Sequence, residues 1–354
     1  MVSTSSDSRQ LQVALVGYGL AGRFFHAPLI SAEPRMTLAA IVTSDAQRGA
    51  QAQQEYPHAE VVADLRSVWQ TTSAIDLVVV ASANVAHVPQ ALEALAHGCH
   101  VVVDKPVAES TTIALELAAA AEAANRQLHV FQNRRWDSDF LTLRRLAPQV
   151  GDIHRLESRI ERWRPDLRGV WRESVRPEDG GGLRLDLGAH LVDQALQLLG
   201  PARAVSAHVR SLRAHDAADD DVLITIQHRS GALSLLTASA VAAVPGPRFR
   251  LLGTDGGVLI DHADGQEDAL RQGTRPDAPD WGVEPIEHAA VVVARDGSTT
   301  REALDAGAWP EYYRRVSASV NDGAPPPVPF ADVIAAMRVL DAARVSSGEL
   351  IDLP

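Results

Sequence analysis

The chain has a single cysteine, Cys99, in 354 residues. No intrachain disulfide can form, and a metal site built from several thiolates is excluded. The thiol reads as a small apolar residue opening a buried strand. Its isolation fits a reducing, cytoplasmic compartment. Long apolar runs are missing too. The first, Leu11–Val16, is too short for a signal-peptide core or a membrane span, so no membrane is expected as a partner. The polar, Ser-rich residues 1–10 read as a loose tail. Positive charge is in deficit: the formal net charge is −12, whereas a nucleic-acid binder needs clustered Lys and Arg to neutralise phosphates. The histidines are scattered. Only Asp186, His190 and Asp193 stand close enough in sequence to suggest a metal, and none is expected. Repeats and low-complexity tracts are absent.

What is present suffices for two packed domains: 46% of the residues are hydrophobic, and the length divides naturally at 1–132 and 133–354. In the first part, Leu11–Val16 and the runs at 36–43, 75–81 and 99–103 are nearly continuous Val, Ile and Leu. Such runs mark strands covered on both faces of a parallel sheet. Helical stretches at 45–56, 86–97 and 111–124 alternate with them, which predicts an α/β Rossmann domain, a doubly wound parallel sheet.

After residue 133 the period changes to two. Residues 153–163 put Arg155, Glu157, Arg159 and Glu161 on one face, with Leu156, Ser158 and Ile160 on the other. The arginine-rich segment 155–168 therefore reads as charge alternating along a strand, not as an anion patch. Further strands are expected at 204–212, 221–228, 232–242 and 248–252, and helices at 189–199, 310–321 and 331–345. The second domain is thus α+β on an open, mostly antiparallel sheet, with the final helix able to pack back on the first domain. Residues 261–285, rich in Asp, Gly and Pro, read as an exposed loop. Trp136, Trp163 and Trp171 read as packing residues.

Three constellations carry chemistry. The first is Gly17-Tyr18-Gly19-Leu20-Ala21-Gly22, which directly follows a strand and opens a helix. Gly17 permits the tight turn, Gly19 lets a pyrophosphate approach the backbone, and Gly22 lets helix and strand pack closely. Strand, motif, helix and second strand fall within about thirty residues, the context that a lone glycine motif lacks. A carboxylate about twenty positions past the last glycine would bond the ribose 2′-hydroxyl of NAD. Thr43 and Ser44 stand there instead, with Arg48 one turn on. A hydroxyl and a cation suit a 2′-phosphate, so NADP is favoured over NAD. Asp45 is either the N-cap of the next helix or an NAD-selecting carboxylate.

The second constellation is Asp104-Lys105-Pro106 at the carboxyl end of the fifth strand, the edge where open α/β sheets bind ligands. A lysine there can donate to a substrate oxygen and stabilise negative charge, or it can simply exit to solvent. The third spans residues 180–193, where a glycine run delivers a helix carrying Asp186 and His190 four apart on one face. An aspartate that orients a histidine makes a competent general base for an alcohol proton. The alternative is a solvated histidine on an amphipathic helix. Asp193 can hold the helix or the ring.

The segments GYGLAGRFFHAP from Gly17, VDKP from Val103, NRRWDSDF from Asn133, residues 180–193 and GTDGG from Gly253 resemble the Gfo/Idh/MocA family of oxidoreductases. The resemblance extends over nearly the whole chain and is nearest to the NADP-dependent scyllo-inositol dehydrogenase branch. It implies a Rossmann domain followed by an α+β domain whose open sheet serves oligomerisation, hence a homo-oligomer. It implies Lys105, Asp186 and His190 as the catalytic trio, with Asp104 standing where the family usually has Glu. Residues around Ser82, Asn84, His87 and Pro106 would flank the nicotinamide, and Asn133, Arg134, Arg135 and Asp137 are candidates for contacting substrate hydroxyls. The expected substrate is a neutral cyclic polyol or sugar, scyllo-inositol first. His190 is expected to titrate near its ordinary value of about 6.5, so that oxidation rises from acidic to alkaline pH. A sugar or dihydrodiol dehydrogenase, or a regulator that binds the dinucleotide without turning it over, are the alternatives. The intact lysine and Asp–His pair speak against the last.

Overall fold

In the computed structural model, which describes residues 9–71, 74–167, 181–214 and 217–354, the apolar runs of the first domain align as one parallel sheet. Most of the N-terminal tail, Trp171 and Gly180 lie outside the described residues. The strands are β1 (Leu11–Val16), β2 (Met36–Val42), β3 (Glu60–Val62), β4 (Leu77–Val80), β5 (His100–Asp104) and β6 (Leu128–Phe131), in the order β3-β2-β1-β4-β5-β6. Every residue of β4 is fully buried, because helices cover both faces of the sheet. The strand order reverses between β1 and β4. The crevice above that reversal, at the carboxyl ends of the strands, is where such sheets hold ligands. Strands β3 and β6, three and four residues long, are too short to show a period.

The second sheet has nine strands: β7 (Ile153–Glu161), β8 (Ala202–Arg210), β9 (Asp221–His228), β10 (Leu233–Ser239), β11 (Phe249–Gly253), β12 (Gly256–Ile260), β13 (Ala290–Ala294), β14 (Thr299–Glu302) and β15 (Ile351–Asp352). Their order is β14-β13-β12-β11-β7-β10-β9-β8-β15. Among the described residues only β7 and β10 pair in parallel in this sheet, which is mixed and mostly antiparallel. The helix Gly188–Leu199 packs on β7 and β10. The last helix, Phe330–Val345, lies against that helix and β8 on one side and against the helix Thr111–Ala123 and β6 on the other. Its Asp341 carboxylate accepts the Thr111 N–H at 2.9 Å. Buried packing thus ties the second half of the chain to the first and fixes the walls of the cleft between them.

Two expectations fail. Residues 261–285 are not simply an exposed loop. They contain the helix Gln266–Arg271, and the buried Gln266 amide accepts from Trp309 N at 2.8 Å and from Trp281 Nε1 at 2.9 Å while donating to Trp136 O at 3.1 Å. One buried amide with four possible bonds anchors the segment despite its Gly and Pro content. Trp163 is not a packing residue either, being 58% exposed.

Candidate active site

Gly17 follows β1 and donates its N–H to Val42 O at 2.9 Å. It sits at φ +97°, and a Cβ there would lie 2.7 Å from Ala81 O. Only glycine meets both demands. The chain then turns helical from Leu20 to Ala32, with a π-helical stretch at Gly22–His26. A side chain on Gly22 would overlap the Gly17 carbonyl, so helix and loop are packed as tightly as two backbones allow. Gly19 is different. A Cβ there would meet only Arg48 Nη1, at 3.8 Å. That open space beside a helix N-terminus suits a pyrophosphate.

A cleft of about 1790 Å³ begins here and runs to the second domain, room for a dinucleotide together with a small substrate. Thr43, Ser44 and Arg48 line it at the β2 end. Asp45 is not in its wall. Its Oδ1 accepts the N–H groups of Gln47 (2.9 Å) and Arg48 (3.0 Å), making it the N-cap of the helix Ala46–Glu55. The bond from the Arg48 N–H leads in holding its carboxyl below the usual range.

At the other end stands Lys105, just beyond β5. Its Nζ donates to the Asp186 carbonyl oxygen at 2.6 Å and to Asp186 Oδ1 at 2.7 Å. Asp186 and His190 therefore do not form the pair that their spacing suggests. The helical turn Leu183–Asp186 stops, and the helix Gly188–Leu199 starts afresh. His190 N–H turns to Leu187 O at 3.1 Å, which leaves the Asp186 carbonyl to Lys105. His190 lines the cleft with its Nδ1 buried and unpartnered among the described residues. Burial, and then the charges of Lys105, Arg134 and Arg248, push its basicity well below the ordinary histidine value. The expectation of titration near 6.5 is thereby corrected.

Two family models match the sequence: "Oxidoreductase family, NAD-binding Rossmann fold" over residues 11–132 and "GFO/IDH/MocA C-terminal domain" over residues 140–259. The chain belongs to the Gfo/Idh/MocA oxidoreductases. It is similar to the scyllo-inositol 2-dehydrogenase (NADP(+)) IolW of Bacillus subtilis, at 32% identity over 96% of this chain and 94% of that one. It is also similar to the uncharacterized oxidoreductase YdgJ of Escherichia coli, at 34% identity over 94% and 95%. Among solved structures, a Klebsiella pneumoniae protein classed as an oxidoreductase superposes with a TM-score of 0.87 at 34% identity, covering 98% of this chain and 95% of that one. The protein is a nicotinamide-dependent oxidoreductase, and the Gly17–Gly22 cradle fits that cofactor.

Of the other residues singled out from the sequence, this oxidoreductase brings Ser82, Asp104, Asn133 and Arg134 to the cleft wall but leaves the rest behind it. His87 is buried, with Nδ1 2.9 Å from Pro106 O and Nε2 3.3 Å from Ser82 O, so it ties together the loops after β4 and β5. Asn84 is buried at the start of its helix. Arg135 is spent on Asp193 (2.6 Å) and Asp332 (3.0 Å), so Asp193 holds neither ring nor metal. Asp137, fully buried, accepts from Trp309 Nε1 at 2.8 Å and Arg134 Nη1 at 2.9 Å. It positions Arg134. Among the described residues no group of three His, Cys, Asp or Glu could hold a metal, and no helix is long and apolar enough to cross a membrane.

Sequence reasoning missed part of the wall. Arg159, Arg162 and Arg164 line the cleft, as do Arg248, Asp264, Glu267 and Arg271. The arginine-rich segment is therefore not merely an alternation of charge toward solvent, because residues 159–162 and Arg164 line the site.

Proposed function

We propose that this oxidoreductase reversibly oxidises a ring secondary alcohol of a cyclic polyol or sugar, with NADP preferred over NAD. The observation that carries the reading is the meeting of the Lys105–Asp186 pair and His190 in the wall of the same cleft as the glycine cradle. Bound nicotinamide supplies the hydride acceptor for oxidation and the donor for reduction. His190 takes the hydroxyl proton. Lys105 donates to the reacting oxygen and stabilises the negative charge that builds there. Two of its ammonium bonds go to Asp186, which leaves a third donor for the substrate. Asn133 and Arg134, in the cleft wall, bond other hydroxyls. Ser44 and Arg48, in the wall where Asp45 is not, support a 2′-phosphate. Inositols are the compounds to begin with, since the Bacillus relative is named for scyllo-inositol and NADP.

The test follows reduced-nicotinamide absorbance across inositols, pyranoses and a dihydrodiol, with NAD and NADP in parallel. Turnover of an inositol or pyranose, faster with NADP, is expected. Failure to oxidise any polyol or sugar with either cofactor, in protein that still binds NADPH, overturns the reading.

A further inference from the structure

We infer that Arg162 docks a carboxylate on the substrate, so that the preferred substrates are ring polyols or sugars bearing an acid. The inference rests on the reading that this cleft oxidises a ring alcohol, and it narrows the class.

Arg162 grows from a rigid base. Its N–H donates to Ser239 O at 2.8 Å and its carbonyl accepts from Ala242 N at 3.1 Å, with Trp163 bridged to Val241 beside it. The side chain enters the wall that also holds Arg134, Asp186 and His190. Around it, cation after cation has its own carboxylate. Lys105 lies 2.7 Å from Asp186, Arg134 2.9 Å from Asp137, Arg248 3.0 Å from Asp139 and Arg271 2.8 Å from Glu267. The Arg162 guanidinium makes no hydrogen bond or ion pair among the described residues. The carboxylates whose charge it feels, Glu267 and Asp186, are already engaged by other cations.

A half-buried guanidinium without a counter-charge bears part of the cost of desolvation, and a ligand anion offsets that cost. Burial pushes the group below its ordinary range, and the pull of Glu267 does not restore it. One uncompensated positive charge calls for one negative charge. The planar fork of an arginine matches the two oxygens of a carboxylate, whereas a phosphate dianion would leave charge unmatched. A neutral ring alone would leave Arg162 as it stands.

The experiment compares kcat/KM for two matched pairs, quinate with scyllo-inositol and D-glucuronate with D-glucose, in wild type, Arg162→Gln and Arg162→Lys with saturating NADP. Calorimetry of quinate and glucuronate binding to the NADPH complex accompanies it. Wild type is expected to favour at least one acid over its neutral partner by about 10- to 100-fold, the worth of a charge-assisted bond. Arg162→Gln should erase that preference by lowering kcat/KM for the acid, and Arg162→Lys should keep part of it. Equal use of acid and neutral partners by wild type overturns the inference without needing any variant to fold. So does an Arg162→Gln enzyme that keeps the preference, or one that loses only NADPH affinity, since the guanidinium would then serve the cofactor. If wild type oxidises neither pair, calorimetry decides alone. Acid binding abolished in Arg162→Gln supports the docking role, and no binding refutes it.

Discussion

Placing a methyl group on Gly22 is the sharpest perturbation of the cofactor cradle. In Gly22→Ala the new carbon would overlap the Gly17 carbonyl oxygen and lie 2.9 Å from its carbon, where carbon–carbon contacts settle at about 3.5–4.0 Å. Loop and helix must therefore separate by on the order of 1 Å. Gly17 has no room to retreat, because its own Cβ direction meets Ala81 O at 2.7 Å. Overpacking of this kind costs about 1–3 kcal/mol of stability. The displaced amides would also miss the pyrophosphate, and each charge-assisted bond lost removes about 1.5–3 kcal/mol, which is about 10- to 100-fold in affinity. Gly19→Ala is the companion variant, since its methyl would enter open space 3.8 Å from Arg48 Nη1. NADPH titration by fluorescence and thermal unfolding by circular dichroism separate the two. Gly22→Ala should lose both stability and affinity, and Gly19→Ala affinity alone. NADPH affinity within threefold of wild type in both folded variants would refute the assignment of this loop to the pyrophosphate.

Lys105→Met and His190→Asn should each lower kcat by at least about 100-fold with NADPH affinity nearly unchanged; near-normal turnover in both would remove the pair from the mechanism. The pH profile of oxidation should hold up in mild acid. A protonated imidazole cannot accept the alcohol proton, so the loss falls on the acid side, and a histidine titrating at about 6.5 would retain only about a quarter of its neutral form at pH 6.0. Because the His190 value is pushed well below 6.5 by burial and neighbouring cations, activity at pH 6.0 should stay clearly above that fraction. A half-maximum at or above pH 6.5 would count against His190 as the acceptor. Ser44→Asp should shift the ratio of kcat/KM values toward NAD, and Arg48→Ala should weaken NADP selectively by about 10-fold. A wild type that already strongly prefers NAD would return the selecting role to Asp45.

The parallel sheet was legible because β1, β2, β4 and β5 are apolar runs punctuated by helices, and the glycine motif fell where such a sheet turns. In the second sheet β7 was legible from its alternation, and β8 to β11 as further strand-like segments. Strands β12 to β15 were not, since they are short and tertiary pairing, not pattern, defines them. The chemistry was only partly legible. Spacing put Asp186 and His190 on one helix face, but the helix restarts between them and Asp186 turns to Lys105, a contact 81 residues away in the chain that no local rule contains. Arg135 and Asp137 entered as candidate ligand groups through the family resemblance of the segment that begins at Asn133. Their partners Asp193, Asp332 and Trp309 come from distant elements. One signal was available and unused. Lys105 is the sole lysine among 33 Lys and Arg residues, an ammonium retained where every other cation is a guanidinium. A compact three-donor cation suits a reacting oxygen better than a planar fork does.

Placing the aspartate on the lysine and not on the histidine has a consequence for the proton. A carboxylate bonded to His190 would stabilise its imidazolium and slow release of the proton it had taken. Here the imidazole faces burial and the charges of Lys105, Arg134 and Arg248, so it is a weak base that does not retain a proton. Such a base can draw a proton only from an alcohol whose oxygen is itself made acidic. In the proposed mechanism Lys105 answers that need by bonding the reacting oxygen directly, where its attraction for the developing alkoxide at contact distance outweighs its repulsion of a more distant imidazolium. Asp186, 2.7 Å from Nζ, holds the ammonium in place. In reduction the same arrangement runs backwards: an imidazolium destabilised by its surroundings gives up its proton readily to the oxygen. In the proposed mechanism the three side chains therefore keep the proton mobile in both directions, with burial first and the neighbouring cations second weakening the base.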